Sequence, residues 1–113
     1  FAHPHGFTVD RQGNIWATDT NDEENILGMR AVNAQGVPLG QQVLKISPEG
    51  NVLMALGSPG VGGPGSTLFD RPTGVAIAPN GDIFVSDGHW RNRSNNARVV
   101  KYSPTGAFIT TWG

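Results

Sequence analysis

The sequence contains no cysteine. That excludes disulfides and thiolate metal sites and leaves the compartment open. No apolar run reaches the roughly 18 residues that a membrane-spanning helix needs, and no secretory leader is legible. Charge is sparse and balanced: 8 Lys and Arg against 9 Asp and Glu, a formal net of −1. Neither nucleic acid nor a membrane is therefore expected as a partner. Sustained helical spacing of apolar residues is also missing. The single helix candidate, Glu23 to Val32, is short and has no good stop signal. A length of 113 residues corresponds to one domain or part of one.

What the chain has in quantity is turn formers, with 16 Gly and 8 Pro and no collagen period. It also repeats itself. Pro4 to Asp19 (PHGFTVDRQGNIWATD) returns as Pro72 to Asp87 (PTGVAIAPNGDIFVSD). Val43 to Gly50 (VLKISPEG) returns as Val99 to Gly106 (VVKYSPTG), and the copies close on Gly57 and Gly113. A period of about 40–60 residues built from short strands is the mark of a repeat fold, above all a β-propeller.

Each copy carries four strand signals. They are Gly6–Val9, Ile15–Thr18, Gln42–Ile46 and Val52–Leu56, then Gly74–Ala78, Ile83–Ser86, Arg98–Tyr102 and Ala107–Trp112. Tight turns with Gly at the third position, Arg11-Gln12-Gly13-Asn14 and Pro79-Asn80-Gly81-Asp82 between strands one and two and Pro48-Glu49-Gly50-Asn51 and Pro104-Thr105-Gly106 between strands three and four, all lie at the same end of a blade. The expected fold is all-β: two four-stranded antiparallel blades, 1–57 and 72–113, with a Gly-rich linker at 58–71. One blade cannot bury both faces, so assembly is expected. Trp16, Phe84, Val43, Val99 and Trp112 are expected in the core between blades. Length differences collect at the other end, where Thr20 to Gln42 forms a long insertion, so that end is the expected binding face.

The stretch from Arg71 to Gly88 (RPTGVAIAPNGDIFVSDG), then ARVVKYSPTG, then Thr-Trp-Gly, resembles NHL repeats, which form six-bladed propellers. Within that group the chain is similar to the peptidyl-α-hydroxyglycine α-amidating lyases, which split a hydroxylated C-terminal glycine into a peptide amide and glyoxylate. The resemblance covers nearly the whole chain. It implies a zinc ion in the central channel held by three histidines from alternate blades, and His5 of Pro4-His5-Gly6 matches one of them. Calcium is a further cofactor that the resemblance admits, and it favours an extracytoplasmic or secreted setting. The lyases' catalytic Tyr follows the Asp-Gly at a strand end; here His89 stands there, followed by Trp90. Their catalytic Arg belongs to a blade this chain does not contain, and their disulfide in this region is missing.

His3, His5 and His89 are the only histidines. Imidazoles are good zinc ligands. His5 and His3 are the candidate ligands, and a channel-lining His5 without metal is the plain alternative. His89 is a candidate proton carrier, with a surface loop residue as its alternative. Arg91 and Arg93, with Arg98, could bind a substrate carboxylate or pair with Asp22, Glu23 and Glu24. Asp19 and Asp87 end equivalent strands, where they either act as acids or accept backbone N–H bonds. Two blades taken three times make six, so a homotrimer would bring three copies of His5 to one axis. A small-molecule or peptide ligand is the further partner expected. Two functions stand: a lyase-like metalloenzyme, or a non-catalytic propeller that binds a ligand or protein through its long-loop face. A third reading makes the chain a fragment of a larger propeller.

Overall fold

A computed structural model describes residues 1–20, 32–89 and 96–113. The helix candidate at 23–32 lies outside them, apart from Val32, which bridges to Pro38. Eight strands run in order: β1 (Pro4–Val9), β2 (Ile15–Asp19), β3 (Gln42–Ile46), β4 (Val52–Leu56), β5 (Pro72–Ile77), β6 (Ile83–Asp87), β7 (Arg98–Tyr102) and β8 (Phe108–Trp112). They form two antiparallel sheets, β1-β2-β3-β4 and β5-β6-β7-β8. Strand positions agree with the sequence signals to within two residues.

Four turns repeat one chemistry. Gly13, Gly50, Gly81 and Gly106 have φ between 81° and 93°, a region that only glycine enters without strain. Each donates its N–H to the carbonyl three residues back: Asp10, Ser47, Ala78 and Ser103. This pins the hairpins and therefore the register.

The core lies between the sheets. Trp16, Val43 and Leu56 of the first face Ile83, Val85, Val100 and Tyr102 of the second, and Phe69 of the linker fills the outer part. Tyr102 meets Phe69 and Phe108 edge-on, at centroid distances of 5.9 and 6.2 Å. Such pairs add to simple area burial.

Val99 and Trp112 are not in this core; they are 39% and 53% exposed. Their equivalents in the first sheet, Val43 and Leu56, are buried because the second sheet covers them. Among the described residues nothing covers the same face of the second sheet. There Phe84 stacks on Trp112 at 6.3 Å, with Lys101 Nζ 5.5 Å over the Phe84 ring. The opposite face of the first sheet is also open, with Phe7, Val9 and Ile15 exposed.

Tyr102 is the only tyrosine, and burial pushes its phenol from 10.0 up to about 12; the Arg98 charge opposes the shift and Asp87 adds to it. The fold thus favours the neutral phenol. That contribution to stability is complete below the unfolded value and is lost as pH rises through the folded one. Phenolate absorbance is expected to rise with a midpoint near 12 in the folded chain and near 10 in denaturant. A folded midpoint near 10 would contradict the burial.

Candidate functional site

His5 owes its position to a bulge. Pro4 pairs with Asp19 and Phe7 with Ala17, so the register slips across His5 and Gly6. The same slip occurs between Pro72 and Gly74. Bulges of this kind re-aim a side chain. Thr18 locks the first one: its Oγ1 accepts the Gly6 N–H at 2.9 Å and donates to the Gly6 carbonyl at 3.3 Å.

Close approach of the innermost strands brings the second sheet to His5. A Cβ on Gly6 would lie 2.5 Å from the Thr73 carbonyl oxygen, so glycine is required there. His5 Nδ1 lies 3.0 Å from that same oxygen. A carbonyl can only accept, so Nδ1 is the donor, and in the neutral imidazole Nε2 is the nitrogen that offers a lone pair. A backbone carbonyl behind an imidazole is the usual way of orienting a metal-binding or proton-accepting nitrogen. The His89 ring meets His5 edge-on, with centroids 5.4 Å apart and planes at 74°. His5 is exposed and His89 half-buried.

His3 sits on the extended lead-in to β1. Asp19 accepts the N–H groups of Ala2 (2.7 and 2.9 Å) and His3 (2.8 Å). Asp19 therefore fixes the strand entry, as the backbone-accepting reading requires. Asp87 does the same for Asp70 N–H at 2.7 Å and also accepts Asn96 Nδ2 at 2.7 Å and Arg98 Nε at 2.9 Å. Arg98 is further held by the Leu68 carbonyl at 2.9 Å, so it serves the linker. Arg91 and Arg93, with Asp22, Glu23 and Glu24, lie outside the described residues.

Among the described residues no three of the His, Asp and Glu side chains gather closely enough to hold a metal ion. The structure unites His5 with His89 across the sheets and leaves His3 out of such a group. Sequence reasoning missed the Thr73 carbonyl and the histidine pair. The repeat shows which residues are equivalent, but not which become neighbours.

A family model for the NHL repeat matches residues 69–102. Over 116 aligned residues and 100% of the chain, it is 37% identical to mouse peptidyl-glycine alpha-amidating monooxygenase, covering 10% of that protein. It is equally 37% identical, over 100% of the chain, to peptidyl-alpha-hydroxyglycine alpha-amidating lyase 1 of Drosophila melanogaster, covering 17% of it. Identity to a probable peptidyl-alpha-hydroxyglycine alpha-amidating lyase of Caenorhabditis elegans is 34% over 94% of the chain and 24% of that protein. The chain thus spans a quarter or less of these relatives' length. Sheet order, turn chemistry and the NHL-repeat match over residues 69–102 agree on two blades of the β-propeller kind, and the chain is similar along its length to proteins named for peptide amidation.

Proposed function

We propose that the His5 face is part of a lyase-like centre for α-hydroxyglycine peptides. The observation that carries this reading is the His5 imidazole, aimed by a bulge and tautomer-locked by the Thr73 carbonyl beside His89. The donor chemistry suits one ligand of a zinc site, with His5 Nε2 as the ligand atom; the other ligands come from further blades. Assembly as a homotrimer supplies them as two more copies of His5. Bound zinc provides Lewis acidity toward a substrate oxygen. The chain's own residues do the rest. His89 carries the hydroxyl proton to the departing amide nitrogen as the C–N bond breaks and the hydroxyl carbon becomes the carbonyl of glyoxylate. Arg91 and Arg93 hold the substrate carboxylate.

The test uses the purified chain with no zinc added. Metal analysis is expected to find zinc in the wild type and at least about tenfold less in His5→Ala, with an unchanged far-UV spectrum because His5 is exposed. Glyoxylate release from an α-hydroxyglycine peptide is expected to fall in parallel. A metal-free wild type that releases no glyoxylate refutes the proposal. The second reading, a non-catalytic propeller that binds through this face, is favoured by one observation: His89 stands where the resemblance puts a tyrosine. Zinc without glyoxylate release would select it.

A further inference from the structure

The chain's internal interface is a template for a second one. Phe69-Asp70-Arg71-Pro72-Thr73-Gly74 leads into β5 as Phe1-Ala2-His3-Pro4-His5-Gly6 leads into β1. Phe69 is fully buried; Phe1 is 51% exposed. Phe69 is seated at the rim of the first sheet beside Gly57, where an added Cβ would meet the Gln41 carbonyl at 2.4 Å and Phe69 Cδ2 at 2.9 Å. The second sheet has the same rim. An added Cβ on Gly113 would meet the Ala97 carbonyl at 2.5 Å, and both Gln41 and Ala97 have positive φ, 61° and 45°. Beside Gly113 lies a cavity of about 430 Å³ lined by Asp87, Ala97, Arg98, Val99 and Trp112 among others. The first sheet's rim holds a phenylalanine, and the second sheet's rim holds a cavity.

The facing surfaces follow the same rule. Ile83 is fully buried where its equivalent Ile15 is 38% exposed. A groove of about 320 Å³ runs along Gly74, Ala76, Phe84 and Val99 on the open face of the second sheet. At Gly6, the equivalent of Gly74, the backbone of the next blade comes so near that an added Cβ would lie 2.5 Å from the Thr73 carbonyl oxygen.

We infer that the occupant of this open face is a second copy of the chain, docked head to tail. Its Phe1 fills the Gly113–Trp112 cavity, and its Phe7, Val9 and Ile15 cover Phe84 and Val99. The two surfaces differ, so the contact is heterologous and closes into a ring by rotation. The docking rests on the internal interface alone; the count of three copies rests on the proposed function.

Sedimentation of the 113-residue chain tests this without any reference to metal or activity. The expected species is a closed ring, at three times the 12.0 kDa of one chain. Phe1→Ser and Trp112→Glu, both at exposed positions, are each expected to weaken association by about 30-fold or more while the chain keeps its β spectrum. Mixing the two variants gives the decisive reading. The intact second sheet of Phe1→Ser accepts the intact Phe1 of Trp112→Glu, so a capped one-to-one dimer forms and stops. A wild type that stays monomeric overturns the docking, as does a symmetric dimer indifferent to this mixing. A ring of another size keeps the docking and removes the three-histidine axis.

Discussion

Replacing Asp87 with alanine is expected to lower the unfolding free energy by about 3–5 kcal/mol. The reason is what the carboxylate leaves behind. Arg98 keeps only 11% of its side chain exposed, and its Nε is 2.9 Å from an Asp87 oxygen with no exposure at all. Removing the acid strands a nearly buried guanidinium beside the Leu68 carbonyl and takes away one acceptor from the Asp70 amide and one from Asn96, which keeps its bond to the Gly63 carbonyl. Stability of a small domain is about 5–15 kcal/mol in total, so the variant sits close to unfolding. A urea titration followed by far-UV dichroism measures the loss. Asp19→Ala provides the contrast, because among the described residues Asp19 accepts the lead-in amides of Ala2 and His3 and no buried cation. Its expected cost is about 1–3 kcal/mol, seen as faster amide exchange at those residues. Equal costs for the two variants would show that the Arg98 pair is not the source.

Phe69→Ala is the second large effect, with an expected loss of about 3–5 kcal/mol. Phe69 is fully buried and stacks edge-on with Tyr102. It is also the piece that joins the linker to both sheets, so the emptied site cannot collapse without moving Gly57 or Tyr102. Calorimetry is expected to show a much lower melting temperature and a single transition, because the sheets share one core. Two separated transitions would mean that the sheets fold independently. Phe1→Ala, at the equivalent but exposed position, is expected to leave the stability of the single chain within about 0.5 kcal/mol.

The elements legible in the sequence are those fixed by local chemistry. Gly13, Gly50, Gly81 and Gly106 each mark a hairpin that the backbone confirms through its positive φ. Strand alternation then follows, because a pinned hairpin pins the register. Burial was legible only in part. Val43 and Val99 occupy equivalent positions, yet one is buried and the other exposed. Periodicity identifies a face suited to packing, but burial depends on a neighbour. The site shows the same division. His5 was legible as a residue on the long-loop face. Its lock on the Thr73 carbonyl was not, because a main-chain oxygen 68 residues away leaves no trace in residue type. The Phe1 and Phe69 equivalence was present in the sequence, three residues ahead of the Pro-x-Gly signature, and only the buried Phe69 shows its use.

The placement of Phe69 has a consequence for biosynthesis. The first sheet ends at Leu56, but its rim is closed by residues of the following lead-in: Phe69 against Gly57, Arg71 N–H on Gln41 Oε1 at 2.6 Å, and the Thr20 hydroxyl on the Pro72 carbonyl. On the ribosome, a nascent chain that has emerged only as far as Leu56 has every strand of its first sheet and no means of sealing it. The cooperative unit therefore runs one lead-in beyond the sheet boundary. A translational pause once residue 74 has emerged would release a sealed first sheet, whereas a pause with the chain out only to residue 57 would hold it open to chaperones and to neighbouring chains.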